Sequence, residues 1–219
     1  MTKIMQYNDL VNIPVYENNE PLVVVQDAAP QIYCKYEKFD MKNYLGDKMM
    51  LRKDVVKRLI QAASVLEEKI PDAKFHLVYG YRHPEIQQEY FTKQFEKQKK
   101  NNPNLKNKKL LEQTHLLVAS PDVAGHPTGG AIDITIITKN GGLDMGTKIA
   151  DFSDTKKIQT FAESLSHEQK TNRLLLRNLL MEQNFAPFDG EWWHFSYGDK
   201  EWASYYKKPN AFYSSKVNI

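Results

Sequence analysis

Three short stretches of the chain hold residue types that could do chemistry together. In "GHPTGGAIDITI", Gly125 to Ile136, His126 precedes Asp133 by seven positions, with a proline and two glycines between them. Asp133 stands among isoleucines in a run that reads as a buried strand, where a carboxylate costs free energy unless it is paired or metal-bound. In "GEWWHFS", Gly190 to Ser196, Glu191 and His194 are three apart and flanked by two tryptophans. In "YGYRHPE", Tyr79 to Glu85, Arg82 follows an apolar run, where loops commonly carry functional side chains.

Each stretch has a bland explanation. His126 and Asp133 could form a buried hydrogen bond. Glu191 could lie at the surface beside packed aromatics, and Arg82 could close a structural ion pair. Together they say more. His126, Asp133 and His194 offer two nitrogens and one oxygen, and three protein ligands leave a fourth tetrahedral position open. That is the pattern of a catalytic zinc site, although the set does not exclude iron, cobalt or manganese. An unliganded carboxylate such as Glu191 is the group needed to take a proton from water beside the metal, and a fixed cation such as Arg82 can oppose charge developing on a carbonyl oxygen.

The elements that must position these residues follow from periodicity. Val55, Leu59, Ala62, Ala63 and Leu66 repeat at helical spacing, which predicts a helix from Asp54, its expected N-cap, to Lys69. "FHLVYGY", Phe75 to Tyr81, reads as a strand, and Pro84 suits the first turn of the helix after it. "AIDITIIT" puts Ile132, Ile134 and Ile136 on one face and Ala131, Asp133 and Thr135 on the other. "KNGG", Lys139 to Gly142, signals a tight turn. Ser166 and Gln169 form a capping box for a helix through "RLLLRNLLMEQ", and "EWWHFSY" reads as a last aromatic strand. A regular strand would send Glu191 and His194 to opposite faces, so they can cooperate only if Glu191 precedes the regular ladder. The expected architecture is α+β: a single domain over residues 1–219, with a small, mainly antiparallel sheet flanked by helices and the zinc site on the sheet face. Residues 1–31 read as a wrapped N-terminal arm. His76, His115 and His167 carry no partner signal and are read as ordinary histidines.

Composition narrows the classes. Apolar content of 41% and charged content of 26% are those of a globular protein. No run approaches the ~20 apolar residues that span a bilayer, and the N-terminus lacks signal-peptide features, so no membrane and a cytoplasmic location are expected, or a periplasmic one if a leader has been removed. The one cysteine, Cys34, rules out an intramolecular disulfide. The net charge of +3 hides an asymmetry: residues 93–109 hold seven lysines and one glutamate. With only Phe95 among them, they read as a surface insertion, and no nucleic-acid partner is expected.

In order and rough spacing, "YGYRHPE", "AGHPTGGAIDITI" and "GEWWHF" resemble the signature segments of the D-alanyl-D-alanine dipeptidases. These zinc peptidases are related to D,D-carboxypeptidases and to the hedgehog signalling domain. "MGT", Met145 to Thr147, and "NRLLLRNLLMEQNF", Asn172 to Phe185, extend the resemblance from about Ile32 to Tyr206. It implies one Zn2+ held by His126, Asp133 and His194, with Glu191 as catalytic base, Arg82 stabilising the transition state, and Asp151 holding the free ammonium of a small D,D-dipeptide. Asp154 competes for that last role. The alternatives are a D,D- or L,D-carboxypeptidase trimming larger peptidoglycan peptides and a non-catalytic zinc-stabilised binding module. The chain departs from the family at Ala124 and Gly125, where a serine and a basic residue are common, and in the length of its lysine segment. Both departures bear on substrate preference rather than on the metal.

Overall fold

The computed structural model describes residues 4–216, so the first three residues of the expected arm lie outside the described part. In chain order the elements are α1 (Tyr7–Leu10), β1 (Leu22–Val24), α2 (Val25–Ala28), β2 (Tyr33–Cys34), α3 (Lys42–Leu45), β3 (Met50–Arg52), α4 (Lys53–Lys69), β4 (Lys74–Tyr79), α5 (Pro84–Asn101) and α6 (Asn107–His115). A 3-10 turn (His126–Thr128) leads to β5 (Ala131–Thr138), then β6 (Gly141–Gly142), α7 (His167–Glu182), β7 (Ala186–Pro187), β8 (His194–Ser196) and α8 (Lys200–Tyr205).

The six-stranded sheet runs β2-β4-β5-β8-β7, with β6 folded back on β5 through the Lys139–Gly142 turn. Among the strands of the described residues only β2 pairs in parallel; β1 and β3 form a separate antiparallel pair. This is the mainly antiparallel α+β arrangement that the apolar pattern predicts. Ile132, Ile134 and Ile136 are fully buried and join Leu59 and Leu66 of α4 and Leu176 and Leu180 of α7 in the main core. Burying a side chain of that size contributes about 1.5–3 kcal/mol, so this face fixes the register of β5 and turns Asp133 the other way.

Two details differ from the sequence expectations. Helix α4 begins at Lys53 with Arg52 as its N-cap, and Asp54 lies in the first turn, accepting from Arg58 Nε at 2.9 Å. The Asp54 amide is capped from outside by the Glu20 carboxylate. The last strand is shorter than expected: residues 191–193 form a turn, and only His194–Ser196 pair.

The N-terminal arm crosses the molecule. Tyr16 N and Asn18 N donate to Ala211 O and Phe212 O, while Tyr7 N and Asn8 N donate to the Glu112 carboxylate on α6. All seven lysines of residues 93–109 are exposed, on the packed pair α5 and α6 and the turn between them. Among the described residues no helix is long and apolar enough to cross a membrane.

Candidate metal centre and active site

Sheet register builds the first half of the site. Asp133 in β5 lies opposite His194 in β8 on one side and opposite Tyr79 in β4 on the other. His126 arrives from the 3-10 turn, whose end at Gly129 has φ +73°, a conformation that favours glycine. A Cβ there would also lie 2.4 Å from Leu22. The turn is anchored by the buried Arg52, whose backbone N–H donates to Gly129 O and whose Nε donates to Thr128 O. A loop residue and two strand residues thereby meet.

His126, Asp133 and His194 are all buried, and one ligand atom from each lies within 4.8 Å of the others. Asp133 Oδ1 is 3.0 Å from His194 Nδ1, and Asp133 Oδ2 is 3.4 Å from His126 Nε2. The remaining nitrogen of each ring is engaged elsewhere: His126 Nδ1 donates to Gly80 O at 2.8 Å, and His194 Nε2 donates to Glu201 Oε2 at 3.0 Å. With its outer nitrogen so engaged, each ring in its neutral form would leave the inner nitrogen free to ligate a metal, as ligating histidines do. Burial alone would push the Asp133 carboxyl up. The His126 and His194 charges and hydrogen bonds outweigh it and hold the group far below the usual carboxylate range. A carboxylate held toward its ionised form, with two imidazole nitrogens turned toward it, fits a divalent ion such as zinc.

Glu191 lies in the turn before β8, where Glu191 N donates to Phe188 O and His194 N donates to Glu191 O. It is therefore free of strand alternation, as cooperation with His194 requires. Burial pushes its carboxyl up to about 8, with Asp133 and Glu201 adding to the rise and His194 and Arg82 opposing it. Arg82 sits just past β4 with its guanidinium over the rings of Tyr79, at 4.5 Å, and Tyr90, at 5.4 Å. Both tyrosine hydroxyls donate to Asp40, and Gln87 Oε1 accepts from Arg82 Nη1 at 2.8 Å. Arg82 Nε is buried without a hydrogen-bond partner among the described residues.

Glu191, Arg82 and the three ligand candidates share a cavity of about 250 Å³. That is slightly under the roughly 300 Å³ at which pockets for drug-sized ligands begin, a volume for a small substrate. Leu116–Ala119, following α6, form part of its wall, so the lysine-bearing helix pair feeds directly into the site. The irregular segment after β6 contributes Ile149, Ala150 and Phe152. It is pinned by the buried Arg173, which donates to Met145 O, Lys157 O and Gln159 O, and by Trp192 Nε1 donating to Thr147 Oγ1.

Asp151 stands apart from the other candidates. Its neighbours line the cavity, but its own carboxylate accepts from Ser153 N at 3.1 Å and is not part of the lining. Sequence reasoning also passed over His115, which lines the cavity with Nδ1 accepting from Ser120 N, and Glu201. Gly125 gains a reason: a Cβ there would fall 2.3 Å from Asp199 Oδ2 and 2.9 Å from the Ala131 Cβ, so no larger residue fits.

A family model described as D-ala-D-ala dipeptidase matches residues 22–214. The chain belongs to that family. It is a zinc metallopeptidase with D,D-peptidase activity. Among curated proteins, this family member is 28% identical over 225 residues to a D-alanyl-D-alanine dipeptidase of Synechocystis sp., covering 90% of this chain and 89% of that one. It is 26% identical over 117 residues to a D-alanyl-D-alanine dipeptidase of Enterococcus faecium, covering 52% of each. Solved structures that resemble it are the LdcB LD-carboxypeptidase (18% identity, TM-score 0.48, covering 93% of this chain and 80% of that one) and the VanY D,D-pentapeptidase with Zn(II) (16%, 0.43, 91% and 94%).

Proposed function

We propose that the enzyme hydrolyses D-alanyl-D-alanine, or a similar D,D-dipeptide, to free amino acids, with Glu191 and Arg82 as its catalytic side chains. The observation that carries the reading is the convergence of His126, Asp133 and His194 on the wall of a small cavity that Glu191 and Arg82 also line. Zinc held by the three ligands supplies Lewis acidity and lowers the pKa of water toward ~7. Glu191 takes the proton from the attacking water and returns it to the departing amine nitrogen. A carboxyl brought to about 8, chiefly by burial, can hold a proton transiently near neutral pH, and a dication beside it would shift that balance back toward the ionised form. Arg82, steadied by two ring faces and Gln87, donates to the carbonyl oxygen as negative charge develops there; its unpartnered Nε–H is a donor in reserve.

The substrate's ammonium is assigned to Asp151, whose Oδ1 accepts from Ser153 N and whose second oxygen can accept from the ammonium. A panel of stereoisomeric dipeptides and their N-acylated analogues, run with and without chelator, tests the proposal. Chelator-sensitive cleavage confined to free-amine D,D-dipeptides is expected. Equal cleavage of N-acylated or longer peptides would select the carboxypeptidase reading instead.

A further inference from the structure

Glu201 is a buried carboxylate that the reaction outlined above does not use. It lies in the first turn of α8 and is only 7% exposed, although exposure to water would cost it nothing. Its Oε2 accepts from His194 Nε2 at 3.0 Å. On the opposite side of the same ring, Nδ1 is the atom that faces Asp133, at 3.0 Å. Among the described residues the ring makes no other hydrogen bond.

We propose that Glu201 is a positioning residue of the metal centre, fixing the His194 ring and its tautomer so that Nδ1 carries the lone pair toward the ion. The inference rests on the reading of His126, Asp133 and His194 as ligands. Neutral imidazole has one N–H, and an ionised carboxylate only accepts, so Glu201 at Nε2 draws the proton there and leaves Nδ1 free to ligate. His126 is turned the other way. Its Nδ1–H goes to the Gly80 carbonyl and its Nε2 faces Asp133. The two histidines thus present different nitrogens, and each needs its own outer partner. For His126 that partner is main chain and is supplied by the fold. For His194 it is a side chain, delivered by a helix that Asp199 caps through a 2.9 Å bond from Trp202 N.

The test is the zinc dissociation constant of the full chain, measured by competition with a chromophoric chelator, with circular dichroism checking that each apo variant is folded. Glu201→Ala should weaken zinc binding about ten- to hundredfold, the range for loss of an outer-shell partner. Glu201→Gln, whose amide oxygen still accepts from Nε2–H, should recover most of that loss. Trp202→Phe disturbs the same helix without touching His194 and should stay within about threefold of the parent. A folded Glu201→Ala protein within about twofold of the parent, or a Trp202→Phe protein weakened as much as Glu201→Ala, would overturn the proposal. Asp133→Ala separates this inference from the reading beneath it. Parental zinc affinity in that variant would remove the ligand assignment itself, and the role of Glu201 with it, whereas a loss confined to Asp133→Ala would remove only the role of Glu201.

Discussion

Two parts of one cavity wall are built on different terms. Where β5 and β8 meet, His126, Asp133 and His194 contact one another, and each imidazole has a partner on both sides. At the end of β4, Arg82 is gripped on its faces and at Nη1 but keeps a buried Nε–H with nothing to donate to. A buried donor without a partner costs about 1–3 kcal/mol, which a substrate oxygen can relieve. The contrast teaches that the metal side is set by strand register before any ligand arrives. The arginine side keeps a buried donor unpaired, and on the proposed reading it is the reacting group that would use it. The two sides should therefore fail in different ways.

The largest effect should come from the metal side. Asp133→Ala removes the carboxylate that both imidazoles face, and zinc affinity should fall by more than the ~100-fold upper range of an outer-shell loss. Dipeptide hydrolysis should drop to background at stoichiometric metal. Equilibrium dialysis followed by elemental analysis checks the first outcome, and retention of one tightly held zinc would contradict it. Glu191→Ala should come next, lowering kcat by roughly 10²–10⁴ while zinc content stays at one per chain. Near-parental turnover would remove its assignment as the base.

Arg82→Ala should lower kcat/KM by about 3 kcal/mol of transition-state energy, in line with a lost oxyanion donor, and leave zinc affinity unchanged. Lysine should restore only part, since a point charge lacks the planar fork that lies over Tyr79 and Tyr90. If Arg82→Ala instead lost its metal, the two sides would be one coupled unit and the contrast would collapse.

Much of this was legible before folding. Isoleucines at every second position fixed which way Asp133 must point, because a one-residue slip would bury it in the core. The condition on Glu191, that it precede the ladder, is met by the turn at 191–193. What periodicity could not carry was partnership across distant elements. Glu201 follows His194 by seven residues, but a strand, a bend and a new helix intervene, so no regular spacing marks the pair. His115 reaches the cavity only because the helix pair α5 and α6 delivers it there, and its sequence neighbours give no sign of that. The Asp54 cap failed for a related reason: Glu20, from the N-terminal arm, supplies the carboxylate that a local reading assigned to the helix itself.

The smallest effect tests how the arginine side is held. Gln87 is 1% exposed and bridges two parts of the cavity, accepting from Arg82 Nη1 at 2.8 Å and donating to Ala119 O at 2.7 Å. Gln87→Ala leaves the guanidinium over two tyrosine rings with one bond fewer, so kcat/KM should fall by about 1 kcal/mol, roughly fivefold, without any change in zinc affinity. Two routes could produce that fall: a looser Arg82, or a wall at residues 116–119 that no longer has its donor. A double-mutant cycle separates them. If Gln87 acts through Arg82, adding Gln87→Ala to Arg82→Ala should cost nothing further. A full fivefold loss in that background would assign its effect to the wall, and Arg82 would then depend on ring stacking alone for its place.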